Sequence, residues 1–170
     1  MPIVIECDTG RKRAGVETPA EVIALASQIK STPGLSFAGL LMYPTETGWA
    51  EAQRFHDEAL AGIRQLGLEP KIVSTGGSPN LKNVGKLTGA TEHRPGTYIY
   101  NDRMQVAAGV ASWDDCALNI YATVVSRAAA DRGILDAGSK TLTSDTGGGL
   151  DGHGLILEHP EARIARFAEE

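Results

Sequence analysis

The stretch Ile3-Val4-Ile5-Glu6-Cys7-Asp8-Thr9-Gly10 is a short apolar run, rich in β-branched residues, that ends in Asp-Thr-Gly. A run of this kind predicts a buried strand followed by a turn. A few residues later, Thr18-Pro19-Ala20-Glu21 forms a capping box with proline at the first helical position, and it predicts the start of a helix. A buried strand followed by a helix is the repeating unit of a parallel α/β sheet.

The same alternation continues as far as residue 101. Further strands are predicted over residues 36–42, 71–74 and 97–101. Helices are predicted to end at Pro33-Gly34, to run from Trp49 to about Leu66, and to cover residues 80–87. Strands that alternate with helices pair in parallel through right-handed crossovers, so the chain is predicted to begin with a parallel sheet.

The pattern changes after this sheet. Residues 117–126, 133–136 and 155–158 resemble strands with no helix between them, which predicts antiparallel β structure and a boundary near residues 102–115. Four strand–helix units are too few to close a barrel. The expected fold class is α/β, with a partial (β/α)8 barrel of the TIM type over residues 1–105 and part of an antiparallel β-domain over residues 106–170. The rest of the barrel is expected to be supplied elsewhere, as in a truncated protein.

Composition argues against several classes of function. The chain has 170 residues and a net charge of −5 with no basic run, so it has no electrostatic footprint for nucleic acid or an anionic membrane. No apolar stretch has transmembrane length, and the N-terminus lacks the features of a signal peptide. Cys7 and Cys116 form no CxxC and no zinc spacing, which favours reduced cysteines in a cytoplasmic protein.

The residues that could carry chemistry collect where the predicted strands end, because functional groups of parallel α/β structures lie at the carboxyl ends of strands. These ends carry Asp8-Thr9-Gly10, Tyr43, Ser74-Thr75-Gly76-Gly77-Ser78-Pro79 and Arg94-Pro95-Gly96-Thr97-Tyr98. Glycines allow a close backbone approach, and successive N–H groups in such turns can hold a phosphate. The same turns also occur in α/β proteins that bind nothing there, and both interpretations stay open at this point.

Other signatures are absent from the sequence. There is no GxGxxG after the first strand, no Walker phosphate loop, no GxSxG elbow and no histidine pair with metal-ligand spacing. We therefore assign no dinucleotide, hydrolase or metal site. Arg11 and Lys12 are expected to form a solvated basic loop, and Arg94 is expected either to face a ligand or to pair with Glu92.

Several of these stretches resemble the fold-type III pyridoxal-phosphate enzymes. The run from Asp8 to Val16 is similar to their Asp-Thr-Gly-x-x-Arg-x-Gly-Val loop, with Arg13 at the arginine position. The order of the motifs resembles that of the D-threonine aldolase and D-serine dehydratase branch, which is related to alanine racemase. The other motifs that carry this likeness are residues 33–40, 74–79, 92–102 and 136–140.

The resemblance implies a (β/α)8 barrel followed by a β-domain, with pyridoxal 5'-phosphate at the carboxyl mouth of the barrel. It places Arg13 near the phenolic oxygen of the cofactor and Tyr43 beside its ring. The other cofactor-binding residues that it implies are Thr75 and Gly76, then Gly96 and Thr97, in the phosphate cradle, with Tyr98 and Arg94 on the ring-nitrogen side.

The resemblance also implies what this chain lacks. The Schiff-base lysine of these enzymes lies on the first barrel strand, whereas this chain matches from about the fifth strand onward, and none of its lysines falls at that position. The family's divalent-metal site lies beyond Glu170. We therefore assign no catalytic residue and no metal ligand, and we expect the isolated chain to be catalytically incomplete.

The function that the resemblance implies is that of a pyridoxal-phosphate-dependent lyase acting on D-amino acids. The expected reaction is D-threonine aldolase-like cleavage of the Cα–Cβ bond of a D-3-hydroxy amino acid, which gives glycine and an aldehyde. Activity like that of D-serine dehydratase or a racemase, and a non-catalytic module that binds a phosphate ligand, stay open as alternatives. The expected partner is a small D-amino acid, and the family analogy implies a homodimer.

Overall fold

The computed structural model describes residues 1–147 and 149–169. The chain divides into two units, Met1–Gly96 and Thr97–Glu170, which we call unit 1 and unit 2. Within the described ranges, no helix is long and apolar enough to cross a membrane.

Unit 1 alternates strands with helices and forms a four-stranded parallel sheet. Its elements in chain order are β1 (Pro2–Cys7), α1 (Pro19–Ser31), β2 (Ser36–Met42), α2 (Trp49–Gln65), β3 (Ile72–Gly76), a 3-10 helix (Ser78–Lys86) and β4 (Glu92–Arg94). The strand order is β1-β2-β3-β4, so β1 and β4 are the outer strands. The predicted α/β class is confirmed, with the barrel portion present as four consecutive parallel strands.

The first helix begins at the predicted capping box. The Thr18 hydroxyl accepts a hydrogen bond from the Glu21 N–H at 3.3 Å, and the Glu21 carboxylate accepts one from the Thr18 N–H at 2.9 Å. These reciprocal bonds satisfy N–H groups that a helix start otherwise leaves without a partner. The capping box therefore fixes where the chain turns from the loop after β1 into α1.

The core of unit 1 lies between the two helices and one face of the sheet. Alternate strand residues point to opposite faces. The buried core comprises Ile5, Cys7, Leu40, Met42 and Val73 from the strands, and Val22, Ala26, Ile29, Ala52, Ala59 and Ile63 from the helices. The alternate strand residues Glu6, Leu41, Ser74 and Glu92 are neighbours in register and share the opposite face. That face carries the polar side chains of Glu6, Ser74 and Glu92, and we call it the polar face.

Gly39 lets β2 and β3 approach each other closely. Gly39 and Ile72 are register partners. A Cβ at position 39 would lie 1.9 Å from the Ile72 carbonyl oxygen. A glycine is therefore required at this point of the sheet.

The prediction of a fourth strand over residues 97–101 is wrong. β4 lies earlier, and Thr97–Ile99 forms a short 3-10 helix in unit 2. The position of β4 is set by Thr91, whose N–H donates to the Val73 carbonyl at 2.8 Å and whose hydroxyl accepts from the Val73 N–H at 2.9 Å. Pro95 has no N–H with which to continue the ladder, so the strand ends before it.

Unit 2 contains a short helix and a two-stranded antiparallel hairpin. Its elements are α3 (Arg103–Ala107), β5 (Val124–Ala129) and β6 (Arg132–Leu135), with further 3-10 turns at Thr97–Ile99 and Trp113–Asp115. The predicted antiparallel structure is present, although β5 begins at Val124 rather than at residue 117. The helix was not predicted, although its N-cap Asp102 accepts from the Gln105 N–H at 3.0 Å.

The strand predicted over residues 155–158 is also wrong, since these residues form no strand. The N–H of His159 donates to the Ile156 carbonyl at 3.2 Å. A turn closed in this way folds the chain back on itself, which an extended strand cannot do.

Cys7 provides a test of the packing of unit 1. Its side chain is 2% exposed, and burial together with the charge of Glu6 raises the pKa of its thiol to about 12. Only the thiolate reacts with alkylating reagents, and a pKa about three units above the ordinary value lowers the thiolate fraction at neutral pH about a thousandfold. We expect iodoacetamide to modify the partly exposed Cys116 in the folded chain and to reach Cys7 only after unfolding. Peptide mass mapping checks this, and equal labelling of both cysteines in the folded chain would contradict it.

Candidate functional site

The candidate site lies at the carboxyl edge of the sheet in unit 1. Because β1 to β4 are parallel, the loops that follow them leave from the same edge. The loop after β1, Tyr43 after β2, the turn after β3 and Arg94 at the end of β4 contribute side chains there.

The loop after β1 is organised by Asp8. Its carboxylate accepts hydrogen bonds from the backbone N–H groups of Gly10 at 2.9 Å, Lys12 at 3.1 Å and Arg13 at 3.0 Å. Desolvation raises the pKa of Asp8, but hydrogen bonds from the amides of Lys12, Gly10, Arg13 and Arg11 outweigh it, so the net pKa lies below the usual value. The ionised Asp8 therefore fixes the backbone from which Arg11 and Arg13 extend.

The ring of Tyr43 lies beside two guanidinium groups. The Cζ atom of Arg11 is 4.0 Å from the ring centroid, and the Cζ atom of Arg13 is 5.6 Å from it. Both distances lie within the range of cation–π attraction. The ring also packs against the turn after β3, since a Cβ at Gly77 would lie 3.2 Å from the Tyr43 hydroxyl oxygen. Arg13 and Tyr43 therefore lie close together, with Gly77 beside them.

The prediction for Arg11 is wrong, because this side chain is not a solvated member of a basic loop. Only 26% of it is exposed, and its Nη2 donates to the Pro44 carbonyl at 3.1 Å and to the Glu46 carboxylate at 2.7 Å. The sequence has no signal for this arrangement, since its partners lie more than thirty residues away in the next loop. Arg13 is the more exposed of the two arginines, and its Nη2 lies 3.9 Å from the Glu6 carboxylate.

The turn after β3 is held by His93. The Nε2 atom of His93 lies 3.2 Å from the Gly77 carbonyl, and its Nδ1 lies 2.9 Å from the Thr75 hydroxyl. A carbonyl only accepts, so Nε2 donates to Gly77, while the Thr75 hydroxyl lies within hydrogen-bonding distance of both Nδ1 and the Glu92 carbonyl, the latter at 3.3 Å. Thr75 is fully buried and its hydroxyl is engaged, so its side chain serves to hold the turn. His93 has no role in the sequence prediction.

Arg94 lies across the polar face of the sheet. Its guanidinium donates to the Ser74 hydroxyl and to the Met42 carbonyl, the latter at 3.2 Å, and the Ser74 hydroxyl donates to the Glu92 carboxylate at 2.5 Å. Arg94 and Glu92 therefore share Ser74 as a hydrogen-bonding partner. Desolvation lowers the pKa of Arg94, and the nearby charges of Glu92 and Glu6 act in the opposite direction. The guanidinium also packs on Gly76, where a Cβ would lie 3.0 Å from Nη2.

The other predicted cofactor-binding residues, Gly96, Thr97 and Tyr98, are divided between the two units. The N–H of Gly96 donates to the Ser78 hydroxyl at 3.2 Å, which ties the end of unit 1 to the turn after β3. No heavy atom lies within 4 Å of a Cβ built on Gly96, so the surface is open there. Thr97 and Tyr98 belong to unit 2, where the Thr97 carbonyl accepts from the Asn101 N–H at 2.7 Å and Tyr98 is 48% exposed.

These residues suit an anion that carries a planar ring. Guanidinium groups and glycine turns with accessible N–H groups favour phosphate, and an aromatic side chain offers a flat contact surface. A small cleft beside Tyr43 is lined by Glu6, Cys7, Asp8, Thr9, Arg11, Arg13 and Ala14. That lining includes no lysine. Within the described part of the chain, no group of three or more His, Cys, Asp or Glu residues could hold a metal ion.

A larger cavity lies on the other side of the Asp8 loop. Its volume is about 380 Å³, and it is lined by Asp8, Thr9, Gly10, Thr45, Gly48, Glu51 and Phe55. It contains two carboxylates, no arginine and none of the predicted cofactor residues. Its charge is wrong for a phosphate, so we place the candidate site at the Tyr43 cleft.

Known proteins match both parts of the chain. The family model described as "Alanine racemase, N-terminal domain" matches residues 1–104, and a serine dehydratase domain model matches residues 117–170. The chain is 33% identical to D-threonine aldolase of Arthrobacter sp., over 96% of this chain and 50% of that protein. It is 32% identical to D-threo-3-hydroxyaspartate dehydratase of Delftia sp. strain HT23, over 84% of this chain and 41% of that protein.

Solved structures of a D-threonine aldolase and of a D-threo-3-hydroxyaspartate dehydratase share the fold. D-threonine aldolase from Filomicrobium marinum superposes with a TM-score of 0.77 at 25% identity, over 99% of this chain and 48% of that one. A variant of D-threo-3-hydroxyaspartate dehydratase superposes with a TM-score of 0.83 at 26% identity, over 100% of this chain and 49% of that one. The chain thus spans about half the length of the relatives that it matches. It belongs to the alanine racemase-related, fold-type III family of pyridoxal-phosphate enzymes.

Proposed function

We propose that this chain supplies the phosphate- and ring-holding part of a pyridoxal-phosphate-dependent lyase that acts on D-amino acids. The proposed reaction is D-threonine aldolase-like cleavage of the Cα–Cβ bond of a D-3-hydroxy amino acid to glycine and an aldehyde. The observation that carries this proposal is the 33% identity to D-threonine aldolase over 96% of the chain. The Tyr43 cleft supports it, because its guanidinium groups and ring have the chemistry of a site for a phosphorylated aromatic cofactor.

Each residue of unit 1 in the site has a proposed part in holding the cofactor. When bound, pyridoxal phosphate supplies an electron-withdrawing ring that stabilises negative charge at the substrate Cα. Arg13 would face the phenolic oxygen and Tyr43 would lie along the ring. The turn at Thr75-Gly76 and the open surface beside Gly96 would approach the phosphate. Arg94, fixed by Ser74 and the Met42 carbonyl, would present its charge from the polar face of the sheet.

Other parts of the proposal concern groups outside unit 1. Thr97 and Tyr98 lie in unit 2 and are proposed as cofactor-binding residues from the family resemblance alone. We propose no catalytic residue in this chain, because none of its lysines matches the family's position for the Schiff-base lysine. From the family analogy we propose that the protein forms a homodimer and binds a small D-amino acid. The net charge of −5 supports the proposal that it binds neither nucleic acid nor a membrane.

A dehydratase is the second candidate, since the chain is 32% identical to D-threo-3-hydroxyaspartate dehydratase. Elimination of water from a D-3-hydroxy amino acid gives an enamine that water hydrolyses to ammonia and a keto acid, whereas aldol cleavage yields glycine and an aldehyde. The products therefore distinguish the two reactions in a whole protein that contains this chain.

The first test is a titration of the purified chain with pyridoxal 5'-phosphate, followed by absorbance, with and without borohydride. We expect saturable and reversible binding that inorganic phosphate weakens, with no cofactor fixed covalently by borohydride and no glycine formed from D-threonine. Reversible binding follows because the guanidinium groups and glycine turns hold an anion without a covalent bond.

A matched control uses Arg64, which pairs with Glu69 at 2.8 Å on the exposed side of α2. Arg64→Met removes one positive charge from the chain without touching the site, so its affinity should equal that of the unmodified chain. Absence of saturable binding would contradict the proposed function. Covalent fixation by borohydride at one lysine would contradict the part of it that assigns no attachment residue to this chain.

A further inference from the structure

Among the cationic side chains of the loop after β1, Arg11 is the most fully held, and the family resemblance leaves it without a role. Its Nη2 donates to the Pro44 carbonyl at 3.1 Å and to the Glu46 carboxylate at 2.7 Å. Its Nε is buried and has no hydrogen-bonding partner among the described residues. The guanidinium is therefore bound to the loop that follows β2 rather than extended into solvent. Its Cζ atom lies 4.0 Å from the Tyr43 ring centroid.

We propose that Arg11 is a positioning residue that fixes the orientation of the Tyr43 ring for the cofactor. The expected effect on cofactor binding rests on the proposed function. The contact between Arg11 and Tyr43 is present in the chain without ligand. Arg11 acts through Tyr43 and is not proposed to contact the cofactor. Two acceptors on one loop, the Pro44 carbonyl and the Glu46 carboxylate, hold the Arg11 guanidinium against the Tyr43 ring.

The geometry separates Arg11 from its neighbours. Arg13 also lies over the ring, but at 5.6 Å, with 67% of its side chain exposed and its partner Glu6 at 3.9 Å. Lys12 lies between the two arginines and is exposed. Of these three adjacent cations, Arg11 is the one that lies close both to its hydrogen-bond acceptors and to the Tyr43 ring. It can therefore restrain the orientation of that ring.

Glu46 is the second half of this arrangement. Desolvation raises the pKa of Glu46, but the hydrogen bond from Arg11, a backbone hydrogen bond and the charge of Arg11 together outweigh it and keep the net pKa below its ordinary value. The carboxylate is therefore ionised at neutral pH and holds the guanidinium in place. Since Pro44 and Glu46 follow Tyr43 in the same loop, Arg11 ties that loop to the Asp8 loop across the mouth of the site.

The proposal predicts a specific effect of removing the charge. Arg11→Met keeps most of the aliphatic stem and removes the guanidinium, so the Tyr43 ring loses the cation–π contact and a restraint on its orientation. We expect the dissociation constant for pyridoxal 5'-phosphate to rise about tenfold. Arg11→Lys keeps the charge and should recover part of this loss. Glu46→Gln should weaken binding in the same direction without altering the Asp8 loop.

The matched control is Lys12→Met, which removes a neighbouring positive charge from the same loop. If the effect of Arg11 came from net charge alone, Lys12→Met would weaken binding equally. We expect its dissociation constant to stay within a factor of two of the unmodified chain, because exposed charges that make no defined contact contribute little.

A second measurement does not depend on the cofactor. The chain is labelled with 3-fluorotyrosine, and the Tyr43 signal is assigned by Tyr43→Phe among the four tyrosines. In fluorine NMR of the ligand-free chain, the Tyr43 signal should shift or broaden in Arg11→Met and Glu46→Gln, and should be unchanged in Lys12→Met. A merely structural loss would move the other tyrosine signals and the thermal midpoint as well, whereas we expect these to stay fixed.

The outcomes separate the two proposals. An unchanged Tyr43 signal in Arg11→Met overturns the positioning role, whatever the cofactor does. A changed signal in a chain that does not bind pyridoxal 5'-phosphate supports the restraint on Tyr43 and overturns the proposed function. A changed signal with unchanged cofactor affinity overturns the link between the ring orientation and binding.

Discussion

Gly39→Ala is expected to destabilise unit 1 by at least about 3 kcal/mol, at the upper end of the usual cost of overpacking. The new methyl group would lie 1.9 Å from the Ile72 carbonyl oxygen and 2.7 Å from the Ile72 carbonyl carbon. Both are backbone atoms, so no side-chain rotation relieves the clash. Relief requires β2 to separate from β3, which would disrupt the pairing of Gly39, Leu40 and Leu41 with that strand.

Urea unfolding followed by tryptophan fluorescence and far-ultraviolet circular dichroism measures this effect. Trp49 is 5% exposed at the start of α2 and reports on unit 1. Gly85→Ala is the matched control, because Gly85 lies in the 3-10 helix of unit 1 with no heavy atom within 4 Å of the added methyl group. The control should change the free energy of unfolding by less than about 0.5 kcal/mol. A Gly39→Ala chain as stable as the control would show that the β2–β3 spacing is adjustable.

Arg94→Met is expected to weaken binding of pyridoxal 5'-phosphate by about 10- to 100-fold. The reason is the loss of a positive charge and of hydrogen bonds to an anion, each worth about 1.5–3 kcal/mol when one partner is charged. The guanidinium is pre-positioned for this role, since Ser74 and the Met42 carbonyl hold it and Gly76 leaves room for it. Its removal leaves Ser74 still hydrogen-bonded to Glu92, so the sheet keeps its pairing.

The same absorbance titration measures the affinity of this variant, with Arg64→Met as the control for lost charge. Circular dichroism of Arg94→Met should match that of the unmodified chain, so that weaker binding is not a consequence of unfolding. Equal affinities for Arg94→Met and Arg64→Met would remove Arg94 from the proposed site.

The parallel sheet could be predicted because its signals are local. Residues 36–42 form a continuous apolar run that becomes β2, and the capping box at Thr18 and Glu21 marks the start of α1 within the sequence itself. Turn residues at Pro33-Gly34 end the preceding helix. Each of these signals depends on neighbours a few residues apart, which is the range over which sequence patterns are informative.

β4 shows where such local signals fail. Residues 97–101 contain threonine, isoleucine and two tyrosines, which favour strands, whereas Glu92-His93-Arg94 do not. The observed strand depends on hydrogen bonds to Val73 and on Pro95, so its position is set by pairing with β3 and not by its own composition. Tertiary pairing therefore overrides local propensity at this point.

The residues of the candidate site also divide into those that the sequence could indicate and those that it could not. Arg13, Tyr43 and the glycine turn could be assigned because they match positions of a family motif. Arg11 and His93 could not, because their contacts are with distant parts of the chain: Pro44 and Glu46 for Arg11, Thr75 and Gly77 for His93. Residues that support a site in this way have partners that no sequence pattern indicates.

The outer position of β1 has a consequence for the behaviour of the chain in solution. β1 pairs with β2 on one side, and its sequence Pro-Ile-Val-Ile-Glu-Cys is mostly apolar, with one acidic residue and no lysine or arginine. Val16 bridges to Cys7 at one end of the other edge, and among the described residues the rest of that edge pairs with no strand. An open strand edge of this composition is a template for aggregation, because its unpaired N–H and carbonyl groups can accept another strand. We expect the solubility and yield of the expressed chain to be limited by this edge, and to improve whenever a further polypeptide strand covers it.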